Sequence, residues 1–414
     1  MQKVTIIGAG VIGLCAAYYL NQKGFAVTII DQGKEQEANC SFGNAGMIVP
    51  SHFVPLAAPG IITKGLKWMI NPTSPFYIKP KLDLALMNWL WQFYKHATAD
   101  HVEKSSQLLH DLNRISNELY SEINHANLFD FDYERKGLMM LYNSDKCGQE
   151  ELELAQKAKS MGIKVETLTP QRINEIQQTK LNVKGGIFFP GDAHLNPNKF
   201  MQNMRSYLLN LGVEFKWETR VEGLSIEKNK VQNLNTNRGE FRVDKLLIAT
   251  GSWTPKLAKV LRLKLPIQAG KGYSFNMNSE IASLVVPSVL CEAKVAVTPL
   301  GNETRFAGTM GIEGLSLKKN TRRILAIKKA IPNYFSSVQE DQIDVGNTWV
   351  GLRPCSPDGL PFIGKCLQDN VLVAAGHAMM GMSLGPITGK IISEMLTEEK
   401  LTIGVEQLSP LRYS

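Results

Sequence analysis

The 414-residue sequence lacks the features that mark metal-bound, disulfide-bonded or membrane-spanning proteins. Its six cysteines form no CxxC pair, and no histidine stands at ligand spacing beside one. We therefore expect no metal site and no disulfide framework, and reduced thiols fit a cytoplasmic location. The longest uncharged run, residues 371–389, contains glycines, a proline and a histidine and does not predict a membrane helix.

Long runs of one charge are also missing. The chain has 46 basic and 38 acidic residues, a net charge of +8, but no run of five lysines or arginines. Such a scattered basic surface gives no reason to expect a nucleic-acid partner. There is no internal repeat, the N-terminus shows no signal-peptide pattern, and the length favours two domains.

The N-terminus does carry a strand–turn–helix–strand pattern. Apolar residues at 4–7 and 26–30 predict two buried strands, and residues 11–23 have helical spacing. The first turn reads Gly8-Ala9-Gly10-Val11-Ile12-Gly13, which is GxGxxG between a strand and a helix. In such turns the glycines permit the tight bend, the approach of a pyrophosphate and close helix–strand packing.

Asp31 ends the second strand, 18 residues after Gly13. A carboxylate there can accept hydrogen bonds from both ribose hydroxyls of an adenosine, and it disfavours a 2′-phosphate. The N-terminal segment therefore predicts a dinucleotide site, for which these residues leave FAD and NAD as alternatives.

Further motifs follow downstream. They are the loop Ser41-Phe42-Gly43-Asn44-Ala45-Gly46, the strand end Ala249-Thr250-Gly251, Lys271-Gly272-Tyr273-Ser274, Gly351-Leu352-Arg353-Pro354, the segment from Gly376 to Met382, and the tail Arg412-Tyr413-Ser414. Taken in order, they resemble the D-amino acid oxidase/glycine oxidase superfamily of FAD enzymes. The resemblance is closer to the bacterial D-amino acid dehydrogenase (small subunit) branch and spans nearly the whole chain.

This resemblance implies an α/β fold with two discontinuous domains. A Rossmann-like FAD-binding domain is expected from residues 1–64, 145–265 and 345–414. An α+β substrate domain on an antiparallel or mixed sheet is expected from residues 65–144 and 266–344.

The resemblance also implies the reaction. Such enzymes oxidise a D-amino acid or a cyclic D-imino acid by hydride transfer from Cα to flavin N5. The imine is hydrolysed to a 2-oxo acid and ammonia, or persists if cyclic. In this branch the electrons pass on to a quinone.

The family's Gly-Leu-Arg-Pro arginine falls on Arg353, which would clamp the substrate carboxylate through its planar guanidinium. A structural ion pair is the alternative for this arginine. Tyr273 matches a tyrosine that reaches the carboxylate or closes the site, and its alternative is an ordinary half-buried strand tyrosine.

Cofactor-binding residues are carried over position by position. The helix start at residues 377–382 would stabilise negative charge on the flavin. The expected FAD-binding residues are Gly8, Gly10, Val11, Ile12, Gly13, Asp31, Ser41, Asn44, Ala45, Gly46, Met47, Val221, Ala249, Thr250, Gly251, Gly376, His377, Ala378, Met379, Met380, Gly381 and Met382.

The sequence departs from the alanine-active members of the branch at four places. Those enzymes tend to carry Gln at Met47, Gly-Tyr at Ser51-His52, and Trp at Leu56 and Met382. The differences weaken the case for a broad D-alanine preference. His52 could hydrogen-bond a polar substrate group, such as a ring hydroxyl, so D-proline or hydroxyproline is a candidate substrate; a solvent-facing loop histidine is the alternative.

Other readings stay open. A glycine or sarcosine oxidase using O2 shares the fold, and so does an FAD oxidase that acts on a tRNA base, which a pI near 9.0 would suit. A non-catalytic FAD scaffold would bind flavin that no amine reduces. The aromatic segment at residues 84–94 follows several lysines and predicts a buried helix, or a peripheral contact with the inner face of a membrane.

Overall fold

The computed structural model of the chain describes residues 2–37, 39–60 and 74–414. Its α-helices are α1 (Val11–Gln22), α2 (Leu84–His96), α3 (Ala99–His125), α4 (Asp145–Ser160), α5 (Pro170–Gln177), α6 (Pro197–Asn210), α7 (Thr254–Val260), α8 (Thr321–Ala330) and α9 (Gly385–Thr397). Its strands are β1 (Lys3–Ile7), β2 (Ala26–Ile30), β3 (Met47–Ile48), β4 (Phe76–Ile78), β5 (Leu138–Tyr142), β6 (Glu166–Leu168), β7 (Gly185–Phe189), β8 (Ala193–His194), β9 (Glu214–Lys216), β10 (Val221–Glu227), β11 (Lys230–Thr236), β12 (Gly239–Arg242), β13 (Lys245–Ile248), β14 (Gln268–Asn278), β15 (Ser288–Leu290), β16 (Val295–Leu300), β17 (Glu303–Ile312), β18 (Trp349–Cys355), β19 (Phe362–Lys365) and β20 (Val371–Ala375).

A six-stranded sheet, in the order β19-β20-β13-β1-β2-β9, forms the first half of the fold. Its strands are parallel except for the edge strand β19. Apolar side chains leave β1 on both faces: Val4 and Ile6 join one core cluster, and Ile7 joins another. Burial on both faces explains why the predicted strands read as uninterrupted apolar runs.

Helices cover one face of this sheet and a small sheet covers the other. The helical side is built from α1, α3, α6 and α9, and the three-stranded antiparallel sheet β10-β11-β12 lies on the opposite side with α7. Helices α1 and α9 approach closely, since a Cβ added at Gly389 would lie 2.5 Å from the carbonyl oxygen of Cys15. Gly389 therefore allows the two helices to pack backbone against backbone.

A nine-stranded mixed sheet forms the second half, in the order β18-β14-β17-β16-β15-β5-β7-β6, with β4 paired to β17. One face of its long strands is apolar, with Phe275, Phe306 and Val297 in a core closed by α8. The two sheets together confirm the predicted α/β fold class, with one parallel and one mixed, largely antiparallel sheet.

The predicted domain bounds remain a prediction, but hydrogen bonding assigns three strands differently. Strands β6 and β7 lie within residues 145–265, and β18 lies within residues 345–414, yet all three pair into the nine-stranded sheet. The chain crosses between the sheets several times. Strand partners are chosen by long-range pairing, which local periodicity does not encode.

The C-terminal tail is held against the six-stranded sheet by Arg412. Arg412 makes a two-point ion pair with the buried Asp358, at 2.7 and 3.1 Å, and its guanidinium stacks 3.6 Å from the ring centre of Phe362. Burial alone would raise the pKa of Asp358, but Arg412 and its hydrogen bonds hold it below the usual range. Within the described residues, no helix combines the length and apolar character needed to cross a membrane.

Candidate active site

The glycine turn between β1 and α1 is packed as its spacing predicted. Gly8 has φ +113°, and a Cβ there would lie 2.4 Å from the carbonyl oxygen of Ala249 on the neighbouring strand. A Cβ at Gly13 would lie 1.9 Å from the Gly8 carbonyl oxygen. At Gly10 it would meet only Ser41 Oγ, at 3.6 Å. The first and third glycines thus serve the fold, and Gly10 leaves the helix start open to a ligand.

Asp31 and Ser41 hold this turn in place. The Ala9 N–H donates to Asp31 Oδ2 at 2.7 Å, and the Val11 N–H donates to Ser41 Oγ at 3.0 Å. Gly10 has no side chain that could cap α1. The positive end of the helix dipole therefore faces the turn beside a carboxylate, which is the arrangement that a pyrophosphate and an adenosine ribose require.

Four segments expected to bind FAD meet at the carboxyl edge of the parallel strands. They follow β1, β2, β13 and β20, which are adjacent or nearly so in the sheet. Val221 follows a residue held at the same edge, because the N–H of Thr219, two positions earlier, donates to the Asp31 carbonyl at 2.8 Å. In doubly wound sheets this edge is where nucleotides bind. The structure thus brings together Gly8, Gly10, Val11, Ile12, Gly13, Asp31, Val221, Ala249, Thr250, Gly251, Gly376, His377, Ala378, Met379, Met380, Gly381 and Met382.

The segment after β20 carries a buried histidine. His377 hydrogen-bonds Thr388 Oγ1 through Nε2 at 3.0 Å, and burial lowers its pKa to about 3. The imidazole is therefore neutral and ties the loop to α9. Among the described residues its side chain makes no hydrogen bond that caps the short helical turn of residues 378–380, and nothing in the arrangement supports a proton-transfer role.

The loop of residues 41–47 is fastened to the nine-stranded sheet. The buried Arg305 donates from Nη1 to the carbonyls of Phe42 and Asn44, at 2.9 and 2.8 Å. Ser274 Oγ donates to the Gly43 carbonyl at 2.9 Å. Ser41, Asn44, Ala45, Gly46 and Met47 therefore run between the two sheets, where a cofactor bound at the parallel edge meets the second half of the fold.

Arg353 lies on the sheet face that this loop covers. Its half-buried guanidinium folds over Gly272 and donates from Nη1 to the Thr309 carbonyl at 2.7 Å. Among the described residues no carboxylate lies within ion-pair distance of it, so the structural ion pair weighed above has no partner there. Burial lowers the pKa of this guanidinium because it disfavours the charged form. An anion bound beside it would stabilise that charge.

Gly272→Ala should lower catalytic efficiency while FAD stays bound. An added Cβ would lie 2.1 Å from Arg353 Nη1, so the guanidinium must move. We expect kcat/KM to fall about tenfold to a thousandfold, as for a misplaced binding group, with flavin content unchanged. The matched control is Gly223→Ala, a strand glycine whose Cβ would meet nothing closer than 3.5 Å. Equal kinetics in the two variants would contradict this placement of Arg353.

The Tyr273 side chain points to one face of the nine-stranded sheet, and Arg353 lies on the opposite face. Tyr273 is fully buried in the core with Phe275, and its hydroxyl accepts a hydrogen bond from the Asn320 N–H at 3.1 Å. Successive strand residues point to opposite faces, so the residue next to Gly272 turns away from the loop. The prediction that the Tyr273 hydroxyl reaches the substrate finds no support in this arrangement.

His52 belongs to a buried polar group that the sequence did not reveal. Its Nδ1 lies 3.2 Å from Ser51 Oγ, and Ser51 donates through both its N–H and its hydroxyl to the carboxylate of Asp192. Burial lowers the pKa of His52 to about 4 and raises that of Asp192 to about 7. His52 is thus neutral. Its hydrogen bond goes to Ser51, whereas that of Arg353 goes to the Thr309 carbonyl, so the two side chains share no hydrogen-bond partner among the described residues.

These buried groups predict a loss of stability in acid. His52, His194 and His377 have pKa values lowered by burial to about 4, 4 and 3, so each takes up a proton on unfolding between about pH 4 and 6.5. Asp192 has a raised pKa, so it releases a proton on unfolding in the same pH range and cancels the uptake by one histidine. The free energy of unfolding should fall by roughly 1–3 kcal/mol per pH unit on acidification, most steeply near pH 5, where the net uptake approaches two protons.

Urea unfolding at pH about 5 and about 6.5 measures this slope directly. His194→Gln removes one of the three titrating groups, so its slope should be shallower than that of the parent protein. A parent protein equally stable at both pH values would contradict the neutral state of these histidines.

Of the four departures from the branch, Leu56 packs against an apolar cluster at strands β17 and β18. That cluster includes Met310 and Cys355, in the strands that carry the Thr309 carbonyl and the Arg353 guanidinium. Met382 is instead buried in the helical core, and its carbonyl accepts a hydrogen bond from Tyr120 at 2.7 Å. Met47 pairs with His194 in the short β3–β8 ladder.

Sequence reasoning missed Arg305, Ser274, Ser252 and Trp349. Ser252 Oγ donates to the Leu352 carbonyl at 3.0 Å, which joins the Ala-Thr-Gly turn to β18. The Trp349 ring fills the space that side chains at Gly43 and Gly351 would occupy. Ser274 stood inside a quoted motif and Trp349 lies two residues before one, but only strand pairing shows what they touch.

Comparisons with known proteins bear on the whole chain. Residues 3–395 match the family described as FAD dependent oxidoreductase. D-amino acid dehydrogenase from Granulibacter bethesdensis is 28% identical over 418 residues, covering 100% of both chains. That from Allorhizobium ampelinum is 30% identical over 422 residues, covering 100% of this chain and 99% of its own.

Solved structures share the fold at lower identity. Glycine oxidase from Geobacillus kaustophilus superposes with a TM-score of 0.79 at 19% identity, covering 100% of both chains. L-proline dehydrogenase from P. horikoshii superposes with a TM-score of 0.76 at 16% identity, covering 100% of this chain and 97% of its own. At these identities the likeness concerns the fold alone.

Proposed function

Because this chain belongs to the family of FAD dependent oxidoreductases, we propose that it oxidises the Cα–N bond of a D-amino acid or cyclic D-imino acid and passes the electrons to a quinone. The predicted family and FAD dependence are confirmed, as is the prediction of an enzyme. The substrate and the electron acceptor are the parts we propose.

The observation that carries the proposal is the setting of Arg353. A half-buried guanidinium on the loop-covered face of β18, without a carboxylate partner among the described residues, suits a substrate carboxylate. Gly272 beneath it and the Thr309 carbonyl beside it orient the planar group. An amino acid held by its carboxylate there would point its Cα toward the loop of residues 41–47.

The reaction needs little from the protein besides binding and orientation. Oxidation removes a hydride from Cα and a proton from nitrogen and leaves a C=N bond. FAD, when bound, supplies the hydride acceptor. Water then adds to an acyclic imine and releases a 2-oxo acid and ammonia, whereas a cyclic imine persists. His52 and His377 are held neutral, so neither adds a positive charge near the substrate amine.

The relatives named D-amino acid dehydrogenase support a D-amino acid, and Leu56 supports a ring-shaped one. Leu56 packs against the cluster that contains Cys355 and Met310, at the position where alanine-active members of the branch tend to have a tryptophan. A leucine fills less space beside these strands than an indole would. We therefore place D-proline and the hydroxyproline isomers first among the substrates.

Anaerobic bleaching of the flavin absorbance tests the proposal. The purified holoprotein is mixed with D-alanine, D-proline, hydroxyproline isomers, glycine, sarcosine and the L-isomers. We expect cyclic D-imino acids to bleach it fastest. Bleaching by glycine or sarcosine with rapid reoxidation by O2 would indicate the oxidase alternative. Flavin that none of them bleaches would contradict the proposal and favour the tRNA-linked or scaffold reading.

A peripheral membrane contact would suit a lipid-soluble acceptor, and α2 supports one. Its inner face packs Leu86, Trp89 and Phe93 into the fold, so part of the predicted aromatic segment is core. Its outer face is apolar and exposed. The exposed fractions are 100% for Leu82, 84% for Leu84, 55% for Met87, 55% for Trp91 and 60% for Tyr94.

Basic side chains border this outer face. Lys79, Lys81 and Lys95 are exposed, and the Lys95 ammonium lies 5.1 Å from the centre of the Trp91 ring. An apolar helix face next to lysines fits the interface of an anionic bilayer, where apolar side chains enter the acyl region and ammonium groups meet phosphates. We propose that α2 rests on such a surface near the quinone.

Vesicle sedimentation tests this contact. The holoprotein should sediment with phosphatidylglycerol-containing vesicles at low salt and much less with phosphatidylcholine alone. Leu84→Ser combined with Trp91→Ser should abolish sedimentation while flavin bleaching is unchanged. Leu367→Ser, an exposed leucine far along the chain, is the control. Binding that is indifferent to both the lipid charge and the double substitution would rule α2 out.

A further inference from the structure

Two cysteines and a glutamate meet at the side of the nine-stranded sheet, in a place the proposed reaction does not use. The thiol sulfurs of Cys147 and Cys291 and a carboxylate oxygen of Glu151 lie within 4.8 Å of one another. We propose that these three side chains bind one thiophilic divalent cation of the zinc class, with a water molecule as the fourth ligand.

The first argument is the placement of the ligands. Cys147 and Glu151 are one turn apart on α4, so their side chains share a helix face. Cys291 follows β15 directly. Zinc binds thiolate sulfur at about 2.3 Å, which puts two sulfurs of one tetrahedral site about 3.8 Å apart. The observed distances of at most 4.8 Å are up to about 1 Å longer than this, a difference that the proposed site requires small side-chain rotations to close.

The second argument is a polar atom that lacks a partner. Glu151 is 7% exposed, and its Oε2 is buried without a hydrogen-bond partner among the described residues. A buried carboxylate oxygen without a donor is costly and rare. A cation held between this oxygen and the two sulfurs would satisfy it.

The third argument is the rigidity of the surrounding frame. Glu292, next to Cys291, accepts hydrogen bonds from the N–H of Asn143 and of Ser144, each at 2.9 Å. Ser144 is also the residue that caps α4. The Cys291 N–H donates to the Leu141 carbonyl at 2.9 Å. The strand end and the helix start that carry the ligands are therefore locked together before any cation binds, as a selective metal site requires.

The charges also fit a dication. With a cation bound, two thiolates and a carboxylate would carry three negative charges, and the Lys294 ammonium acts electrostatically on both Glu151 and Cys291. A dication together with Lys294 would balance them. Four strand spacings separate β15 from β18, about 19 Å across the sheet, so such a cation would stabilise the fold and would not take part in the reaction at Arg353.

Cobalt titration of the purified holoprotein tests the site, because Co²⁺ bound to thiolates shows a sulfur-to-metal charge-transfer band in the near ultraviolet. We expect the band to saturate at about one equivalent and to vanish when zinc is added. Zinc should also raise the melting temperature of the holoprotein.

Three variants and one control assign the ligands. Cys147→Ser and Cys291→Ser should lose the band, and Glu151→Gln should weaken cobalt affinity about 10- to 100-fold. Cys366→Ser, at a cysteine outside the cluster, should bind as the parent does. No band in the parent protein, or a band that persists in both cysteine variants, would overturn the proposal. Flavin bleaching by amino acids should be the same with and without zinc, which separates this test from that of the proposed function.

Discussion

Arg353→Leu is expected to leave FAD bound and to lower kcat/KM roughly 30- to several-thousand-fold. This corresponds to a loss of about 2–5 kcal/mol of transition-state stabilisation. The substitution removes the group that we propose pairs with the substrate carboxylate, while the glycine turn and the loop of residues 41–47 keep their contacts. Because the carboxylate pairs with Arg353 before and during the reaction, most of the loss should appear in KM.

Two further arginine variants interpret the result. Arg353→Lys keeps the charge but loses the planar two-point geometry, so its kcat/KM should be intermediate. Arg114→Leu removes an exposed arginine of α3, which is ion-paired with Glu118 at 2.8 Å, and should match the parent enzyme. Steady-state kinetics with the substrate found by bleaching measures all three. A normal kcat/KM in Arg353→Leu would remove this residue from the site.

Gly13→Ala is expected to prevent the dinucleotide-binding half from folding around FAD. The added Cβ would lie 1.9 Å from the Gly8 carbonyl oxygen, so α1 would have to move away from β1. The clash is with backbone, which cannot rotate aside as a side chain can. We expect insoluble or flavin-free protein.

Gly10→Ala separates folding from cofactor binding. Its Cβ would make only an ordinary contact, 3.6 Å from Ser41 Oγ, so the apoprotein should fold. The methyl group would nevertheless lie where a pyrophosphate approaches the helix start, and FAD affinity should fall at least about tenfold. Circular dichroism and the flavin-to-protein absorbance ratio distinguish the two variants. Gly191→Ala, where an added Cβ meets nothing within 4 Å, is the control. Flavin content in Gly13→Ala equal to that control would contradict the packing described.

The sequence by itself determined the parts of this protein that depend on local order. The turn from Gly8 to Gly13, the two flanking strands and Asp31 lie within about thirty residues, and their types and spacing leave few alternative structures. The strands expected at residues 4–7 and 26–30 and the helix expected at 11–23 match the observed elements to within one residue, because periodicity and end signals are local.

The resemblance added what spacing could not, namely FAD over NAD and the family. Both depended on motifs hundreds of residues apart, such as the loop at Ser41 and the Gly-Leu-Arg-Pro block.

Only the tertiary structure decided which side chains face each other. Alternation along β14 turns Gly272 toward Arg353 and Tyr273 into the core. The residues of β14 do not alternate cleanly between polar and apolar, so the sequence did not show which side chains face the core. Arg305 reaches the loop from β17, and Asp192 reaches Ser51 from a turn after β7. The absence of a CxxC pair argued against a metal site, yet α4 and the end of β15 place two thiols and a carboxylate together. In each case the pairing of strands far apart in the sequence decides which side chains are neighbours. That pairing depends on several segments at once, so no single segment predicts it.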